Sequence, residues 1–129
     1  MNDTGKKTVL VVEDNDKNMK LARDILEAKG YQVLAASCGE DGVKIATEHL
    51  PDLTLMDIHM PGIDGVEALG LLRAEPRTAT LKVVAFTASV MAGDRSRVTQ
   101  AGFDGFVSKP INLKEFVATI ARMTEAGAQ

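Results

Sequence analysis

Residues 54–65 read TLMDIHMPGIDG, a stretch in which the character of the chain changes abruptly. The apolar run Leu53–Met56 indicates a buried β-strand, but an acid, Asp57, follows it directly. The segment His59–Gly62 then contains a proline and a glycine, which interrupt regular structure. This part of the sequence therefore predicts a buried strand that carries a carboxylate to its end and stops there.

Similar short apolar runs occur on both sides of this strand. The predicted strands are Thr8–Val12, Gln32–Ala36, Leu53–Met56, Lys82–Thr87 and Gly105–Ser108. The segments between and after them have apolar residues at three- and four-residue steps, which is typical of helices. The first helix is predicted to end at Gly30, and the last to begin after an N-cap at Asn112 with Glu115 three residues on.

This alternation predicts an α/β domain with a five-stranded parallel sheet and five helices covering both faces. The runs Val9–Val12 and Val83–Phe86 are continuously apolar, as burial on both faces requires. A chain this short favours the flavodoxin-like doubly wound order 2-1-3-4-5, which places a site at the carboxyl ends of the strands. We expect the domain to cover residues 8–124, with tails at 1–7 and 125–129.

Composition excludes several functional classes. The net charge is −3 and aromatic residues make up only 4% of the chain, so nucleic acid and anionic membranes are poor candidates for partners. No apolar run is long enough for a signal peptide or a membrane span. The single cysteine, Cys38, has no internal disulfide partner. These features favour a cytoplasmic protein.

Polar side chains stand at the carboxyl ends of four predicted strands. They are Glu13, Asp14, Asp57, Thr87 and Lys109. Each is unremarkable alone, because acids, threonines and lysines are common at strand ends and in turns. Parallel strands bring their carboxyl ends to one edge of the sheet, so we expect these five side chains to lie together.

Three carboxylates in one place repel one another, and a hard divalent cation relieves that repulsion. Mg²⁺ prefers oxygen ligands and keeps several of its waters. Asp14 and Asp57 are candidates for direct ligation, and Glu13 for ligation through water. The backbone carbonyl of His59, at the break after the strand, is a candidate for a further ligand.

Acids, Mg²⁺, a lysine and a hydroxyl suit phosphoryl transfer, which depends on positioning and on neutralising the phosphoryl oxygens. A carboxylate can be the nucleophile and form an aspartyl phosphate. Asp57 is central in the group and is our candidate nucleophile. Lys109 would supply a mobile positive charge, and Thr87 a hydroxyl donor.

The motifs VLVVEDN (9–15), LTLMDIHMPGIDG (53–65), VVAFTA (83–88) and GFVSKP (105–110) occur in this order. Together they resemble the receiver domain of bacterial two-component response regulators, from about Thr8 to Thr124. The resemblance implies Asp57 as phosphoacceptor, with Mg²⁺ held by the acids and the His59 carbonyl. It also implies Thr87 and Phe106 as switch residues, Lys109 as the phosphate partner and a cis bond before Pro110.

The resemblance further implies a partner that supplies phosphohistidine, either a sensor histidine kinase or a histidine phosphotransfer protein. It implies a signalling switch and not a conventional multiple-turnover enzyme. Output would be protein–protein binding, on the face formed by residues 91–123, or onward phosphotransfer. That face includes a helix predicted over Met91–Ala101, which has few large apolar residues. The stretch 12–34 is similar to single-domain cell-cycle regulators within the family.

Three alternatives stay open. A receiver excised from a larger regulator or hybrid kinase would have the same motifs. A haloacid-dehalogenase-like phosphatase also uses a strand-end aspartate with Mg²⁺, but it requires a second aspartate two residues later, where this chain has His59. A flavodoxin-like carrier of FMN requires a phosphate-binding loop after the first strand, where Glu13 and Asp14 stand instead.

Overall fold

The computed structural model describes residues 7–87, 92–109 and 111–125. Strands and helices alternate along the chain in the order β1 (Thr8–Val12), α1 (Asp16–Ala28), β2 (Gln32–Ala36), α2 (Gly39–His49), β3 (Leu53–Asp57), α3 (Gly65–Ala74), β4 (Val83–Thr87), α4 (Ala92–Ala101), β5 (Gly105–Ser108) and α5 (Leu113–Glu125).

The strands form one parallel sheet in the order β2-β1-β3-β4-β5, which confirms the predicted topology. Two strand limits differ from the prediction by one residue. Asp57 belongs to β3 and lies opposite Phe86 in the sheet, and β4 begins at Val83 and not at Lys82. The acid at the end of β3 is therefore part of the sheet.

Apolar side chains form a core on each face of the sheet, because successive residues of a strand point to opposite faces. Leu10 and Val12 pack on one side with Leu69 and Leu72 of α3. On the other side Val9, Val11 and Leu55 pack with Leu26 of α1 and Phe116 of α5. The core is largely aliphatic, as the composition requires.

Several helix ends are fixed by local signals in the sequence. Gly30 follows α1 with φ +92°, and Asn112 accepts a hydrogen bond of 3.0 Å from the Glu115 N–H, so both predicted signals are confirmed. Sequence reasoning missed the capping box of α3, in which Asp64 and Glu67 exchange side-chain and backbone hydrogen bonds. Its Asp-x-x-Glu spacing was visible in the sequence.

Two predictions fall on residues outside the described ranges. They concern Met91, the expected start of the fourth helix, and the cis bond before Pro110. Among the helices in the described ranges, none combines the length and apolar character needed to cross a membrane.

Candidate functional site

Three acidic side chains meet at the carboxyl end of the sheet, where β1 and β3 are neighbours. Val12 lies opposite Met56, so the residues that follow these two emerge side by side. One carboxylate oxygen from each of Glu13, Asp14 and Asp57 lies within 4.8 Å of the others. Glu13 and Asp57 are buried, and Asp14 is exposed. The structure thus brings the predicted acids together, two of them away from water.

The two oxygens of the Glu13 carboxylate have different neighbours. Its Oε2 atom accepts a hydrogen bond of 3.0 Å from the Asn15 N–H. Its Oε1 atom lies 2.7 Å from Lys109 Nζ, yet it accepts no hydrogen bond of acceptable geometry within the described ranges. We regard this contact as an ion pair between poorly aligned groups. The Lys109 ammonium group therefore lies against a buried carboxylate oxygen at the centre of the site.

Lys109 bridges the two buried acids. Its Nζ atom is 3.2 Å from Asp57 Oδ2, in addition to the contact with Glu13, and it lies 4.8 Å from the centroid of the Phe86 ring. The Lys109 N–H donates a 2.8 Å hydrogen bond to the Thr87 carbonyl, which fixes the backbone beside β4. The lysine expected at the site therefore reaches it, and the aromatic face beneath it was not foreseen from the sequence.

The environment of Asp57 disfavours its charged form. Burial raises the pKa of its carboxyl group from 3.8 to about 6, and the negative charge of Glu13 acts in the same direction. Lys109 and the His59 N–H, which donates to Asp57 Oδ1 over 3.2 Å, oppose this rise. At neutral pH the group is still mostly ionised, so it is available as a nucleophile.

His59 contacts the site through its backbone and not through its imidazole. The side chain is exposed, while the N–H holds Asp57 Oδ1. This hydrogen bond turns the chain at the end of β3. The part of the His59 carbonyl as a metal ligand stays a prediction.

The two predicted switch residues lie on neighbouring strands. Thr87 is the last residue of β4 and is buried, and Phe106 is a half-buried residue of β5 opposite Ala85. Surface cavities of about 220 and 210 Å³ adjoin Phe106, one beside Val98 of α4 and one beside Phe116 of α5. Phe106 thus has space on two sides, toward two helices of the same face.

Sequence reasoning missed two residues that help to build the site. Asn15 was noted only as the last residue of the motif VLVVEDN, whereas its N–H donates to Glu13 and its side chain accepts from the Asn18 N–H. Phe86 appeared to be an ordinary core residue, but its ring supports Lys109. An asparagine directly before a helix is a common N-cap, and this signal could have identified Asn15. Nothing in the sequence near Phe86 indicated its contact with Lys109.

The chain matches the family model described as "Response regulator receiver domain" over residues 9–121. It is 42% identical over 114 residues to the polar-differentiation response regulator DivK of Brucella ovis. The aligned region covers 88% of this chain and 93% of that protein. The DivK of Brucella anthropi matches to the same extent.

Solved structures of a response regulator and of a receiver domain have the same fold. A putative response regulator from Chloroflexus aurantiacus has a TM-score of 0.88 at 28% identity, and covers 92% of this chain and 98% of its own. The receiver domain of sensor histidine kinase PA1611 from Pseudomonas aeruginosa has a TM-score of 0.86 at 30% identity. The match covers 93% of this chain and 98% of that receiver domain. That structure holds a magnesium ion in its active-site cleft.

Proposed function

The chain belongs to the response regulator receiver domain family, and on this premise we propose that Asp57 is the residue that accepts the phosphoryl group. A receiver domain is a phosphorylation-dependent regulator of a two-component system and not a conventional enzyme. One observation carries the assignment to Asp57. This carboxylate ends a central strand, beside two other acids and 3.2 Å from the Lys109 ammonium group.

The residues at this edge of the sheet fit a magnesium ion. Their donors are carboxylate oxygens, which Mg²⁺ prefers, and the three nearest oxygens lie within 4.8 Å of one another. The Lys109 ammonium group, 2.7 Å from Glu13 Oε1 and 3.2 Å from Asp57 Oδ2, shows that the two buried carboxylates accommodate a positive charge between them. The Pseudomonas aeruginosa receiver, with magnesium in its cleft, supports the same assignment.

We assign direct ligation to Asp14, Asp57 and the His59 carbonyl, and ligation through water to Glu13. When bound, the metal would offset negative charge on the oxygens of the phosphoryl group in transfer. Lys109 lies within reach of the same oxygens and would supply a second positive charge. Thr87 would donate its hydroxyl to the phosphoryl group after transfer.

Phosphoryl transfer needs a donor whose phosphorus can approach Asp57 from solvent. An oxygen of Asp57 forms the new bond to phosphorus, and the bond from phosphorus to the donor histidine nitrogen breaks. The exposed side of the site, at Asp14 and His59, is the side from which that donor would approach. Receiver domains take a histidine kinase as partner, and we extend this to histidine phosphotransfer proteins.

We place the downstream protein target on the face formed by residues 91–123. Two cavities beside Phe106 open on this face and give a partner side chain a place to bind. The net charge of −3 argues against nucleic acid as the target. We take the receiver domain as residues 8–124, and its cytoplasmic location stays a prediction from the sequence.

Intact-mass measurement with a small acyl phosphate donor tests the proposal. We expect wild-type protein with Mg²⁺ to gain the mass of one phosphoryl group, and Asp57→Asn to gain none. Omitting Mg²⁺ or adding a chelator should abolish the modification of wild-type protein.

Asp52→Asn is the matched control, because Asp52 is an acid just before the opposite end of β3. Its Oδ2 accepts from the Thr8 N–H over 2.8 Å, a bond that an asparagine oxygen can keep. We expect this variant to be modified like wild type. Equal modification of Asp57→Asn and wild type would refute the assignment.

A further inference from the structure

We propose that Gly65 and Gly42 are positioning residues for phosphorylation, because each lets a helix lie directly against a strand that carries an acid of the site. The inference rests on the proposed role of Asp57. It concerns how the fold sets the separation between Asp57 and Glu13, which act together on one metal and one phosphoryl group.

Gly65 is the first residue of α3 and is buried against the end of β3. Its N–H donates a 3.0 Å hydrogen bond to the Ile58 carbonyl. A Cβ atom at this position would overlap the Asp57 carbonyl oxygen and would lie 2.9 Å from Ile58 Cα. These are backbone atoms, which have no rotamer to relieve the overlap, so the helix or the Asp57 peptide would have to move.

A shift of the Asp57 peptide would reach the carboxylate directly. The carboxylate is held by the His59 N–H on one oxygen and by Lys109 on the other, each over 3.2 Å. Both contacts are already longer than an optimal charge-assisted hydrogen bond. Little additional displacement would therefore break them.

Gly42 has the corresponding place behind β1. It lies in the first half of α2, is buried, and a Cβ atom there would lie 2.7 Å from Val12 Cγ2 and 3.0 Å from Val12 Cγ1. Val12 ends β1, and Glu13 is the next residue. An added methyl group would push the strand end that delivers Glu13 to the site.

Contact, and not backbone conformation, explains both glycines. The glycines with positive φ in the described ranges are Gly30, Gly62 and Gly102, so neither Gly42 nor Gly65 needs a conformation that other residues avoid. Glycine is also a poorer helix former than alanine. Close approach of the helix to the strand is the physical reason for glycine at these two places.

Gly65→Ala with Gly70→Ala as its control tests the first half of the proposal. Gly70 lies in the same helix, and a Cβ atom there would meet nothing within 4 Å. We would measure the phosphorylation rate with a small acyl phosphate, the Mg²⁺ dissociation constant by calorimetry, and the melting temperature. We expect Gly65→Ala to lose rate on the order of 10²-fold while folded, with weaker Mg²⁺ binding. Gly70→Ala should match wild type in rate and in Mg²⁺ affinity, and its melting temperature should be equal or higher.

Gly42→Ala tests the second half and offers a rescue. Val12→Ala removes the two methyl groups that the new Cβ would meet, so the double variant should recover most of the rate and of the Mg²⁺ affinity lost in Gly42→Ala. The measurements on Gly42→Ala and on the double variant still test the positioning inference if Gly65→Ala does not fold. A role in stability alone would lower melting temperatures and leave the rate and Mg²⁺ affinity of the folded protein unchanged.

The outcomes separate this inference from the proposed function. Absence of phosphorylation in wild-type protein would remove the role of Asp57 itself. Phosphorylated wild type, with normal rates in Gly42→Ala and in any folded Gly65→Ala, would leave that role intact and overturn the positioning inference. Failure of Val12→Ala to restore Gly42→Ala would equally refute the contact behind β1.

Discussion

At the scale of single residues, Asp57 combines burial with a neighbouring charge of the same sign. Its pKa in the folded protein, about 6, is above the ordinary value of 3.8. The folded state therefore binds a proton more readily than the unfolded state does. The contribution of Asp57 to stability therefore falls as the pH rises from about 4 to about 6, by at most about 3 kcal/mol. Above pH 6 this contribution stays level.

Asp57→Asn should remove this dependence. Without Mg²⁺ at neutral pH, we expect the variant to be more stable than wild type by about 1–3 kcal/mol, because an uncharged amide avoids both burial of charge and repulsion by Glu13. Near pH 4 the difference should be small. Urea unfolding of both proteins across pH 4–8 measures this difference in stability. The other carboxyl groups titrate in both proteins, so their effects cancel in the comparison. A difference independent of pH would contradict the assigned pKa.

Lys109→Ala should separate metal binding from phosphoryl transfer. The metal ligands we assign are carboxylates and a carbonyl, so Mg²⁺ affinity should be retained or increased, since Lys109 now occupies Glu13 Oε1 and Asp57 Oδ2. The phosphorylation rate should fall at least about tenfold, because a cation that meets the phosphoryl oxygens is lost. Calorimetry and mass measurement test the two effects. Lost Mg²⁺ affinity with an unchanged rate would contradict this division of roles.

Thr54 carries a buried hydroxyl that accepts and donates nothing within the described ranges. Thr54→Val keeps the shape and removes this group, so we expect a gain in stability of about 1 kcal/mol. Thr78→Val is the matched control, because the equally buried Thr78 hydroxyl donates to the Leu72 carbonyl over 2.6 Å. That variant should lose about 1 kcal/mol or more. Urea unfolding distinguishes the two, and equal losses would show that Thr54 has a partner.

At the scale of elements, the sequence of α4, AGDRSRVTQA, contains few large apolar residues. Of its side chains at 96 and 98–101, Val98 is the buried one. The C-terminal end of the helix is tied down, because the Arg73 guanidinium donates to the Gly102 carbonyl over 3.2 Å and to Asp104 over 3.0 Å. Arg73 also holds the Leu81 carbonyl over 2.6 Å. This arrangement fixes one end of α4 to α3 and to the start of β4.

Phosphorylation should therefore change α4 and β5 more than the opposite side of the sheet. Thr87 ends β4, and the chain continues from it toward α4, so drawing its hydroxyl to a phosphoryl oxygen would move the start of the helix. A coupling energy of roughly 1–3 kcal/mol is typical of allosteric proteins and would be enough to shift the positions of the helix. Amide hydrogen exchange with and without fluoroberyllate measures this. We expect altered protection over residues 92–106 and little change in β2.

Arg73→Ala provides the matched comparison for that experiment. With the fixed end released, α4 should exchange faster before any phosphoryl mimic is added. Changes confined to the neighbourhood of Asp14, Asp57 and Lys109 in wild type would refute coupling to the α4 face.

At the scale of the whole molecule, the sequence was sufficient for the topology and for the gathering of Glu13, Asp14, Asp57 and Lys109 at one edge of the sheet. Uninterrupted apolar strands such as Val83–Phe86 require burial on both faces, and that requirement leads to a parallel sheet with polar residues gathered at one edge. Contacts that depend on three-dimensional packing were not predictable in this way. The support of Lys109 by Phe86 and the close approach of Gly65 to Asp57 depend on how helices pack on the finished sheet.

Mg²⁺ should stabilise the entire fold, because its ligands lie at or just after the ends of two neighbouring strands, β1 and β3, in the middle of the sheet. Binding at a hundred times the dissociation constant adds about 2.7 kcal/mol, or roughly 10 °C in melting temperature for a chain of this size. Calorimetric scans at pH 7.5 with MgCl₂, against NaCl of equal ionic strength, measure the rise. Asp14→Asn should largely abolish it, and at pH 5 protonation of Asp57 should reduce it in wild type. The same rise in NaCl, or in Asp14→Asn, would show that screening and not ligation stabilises the protein.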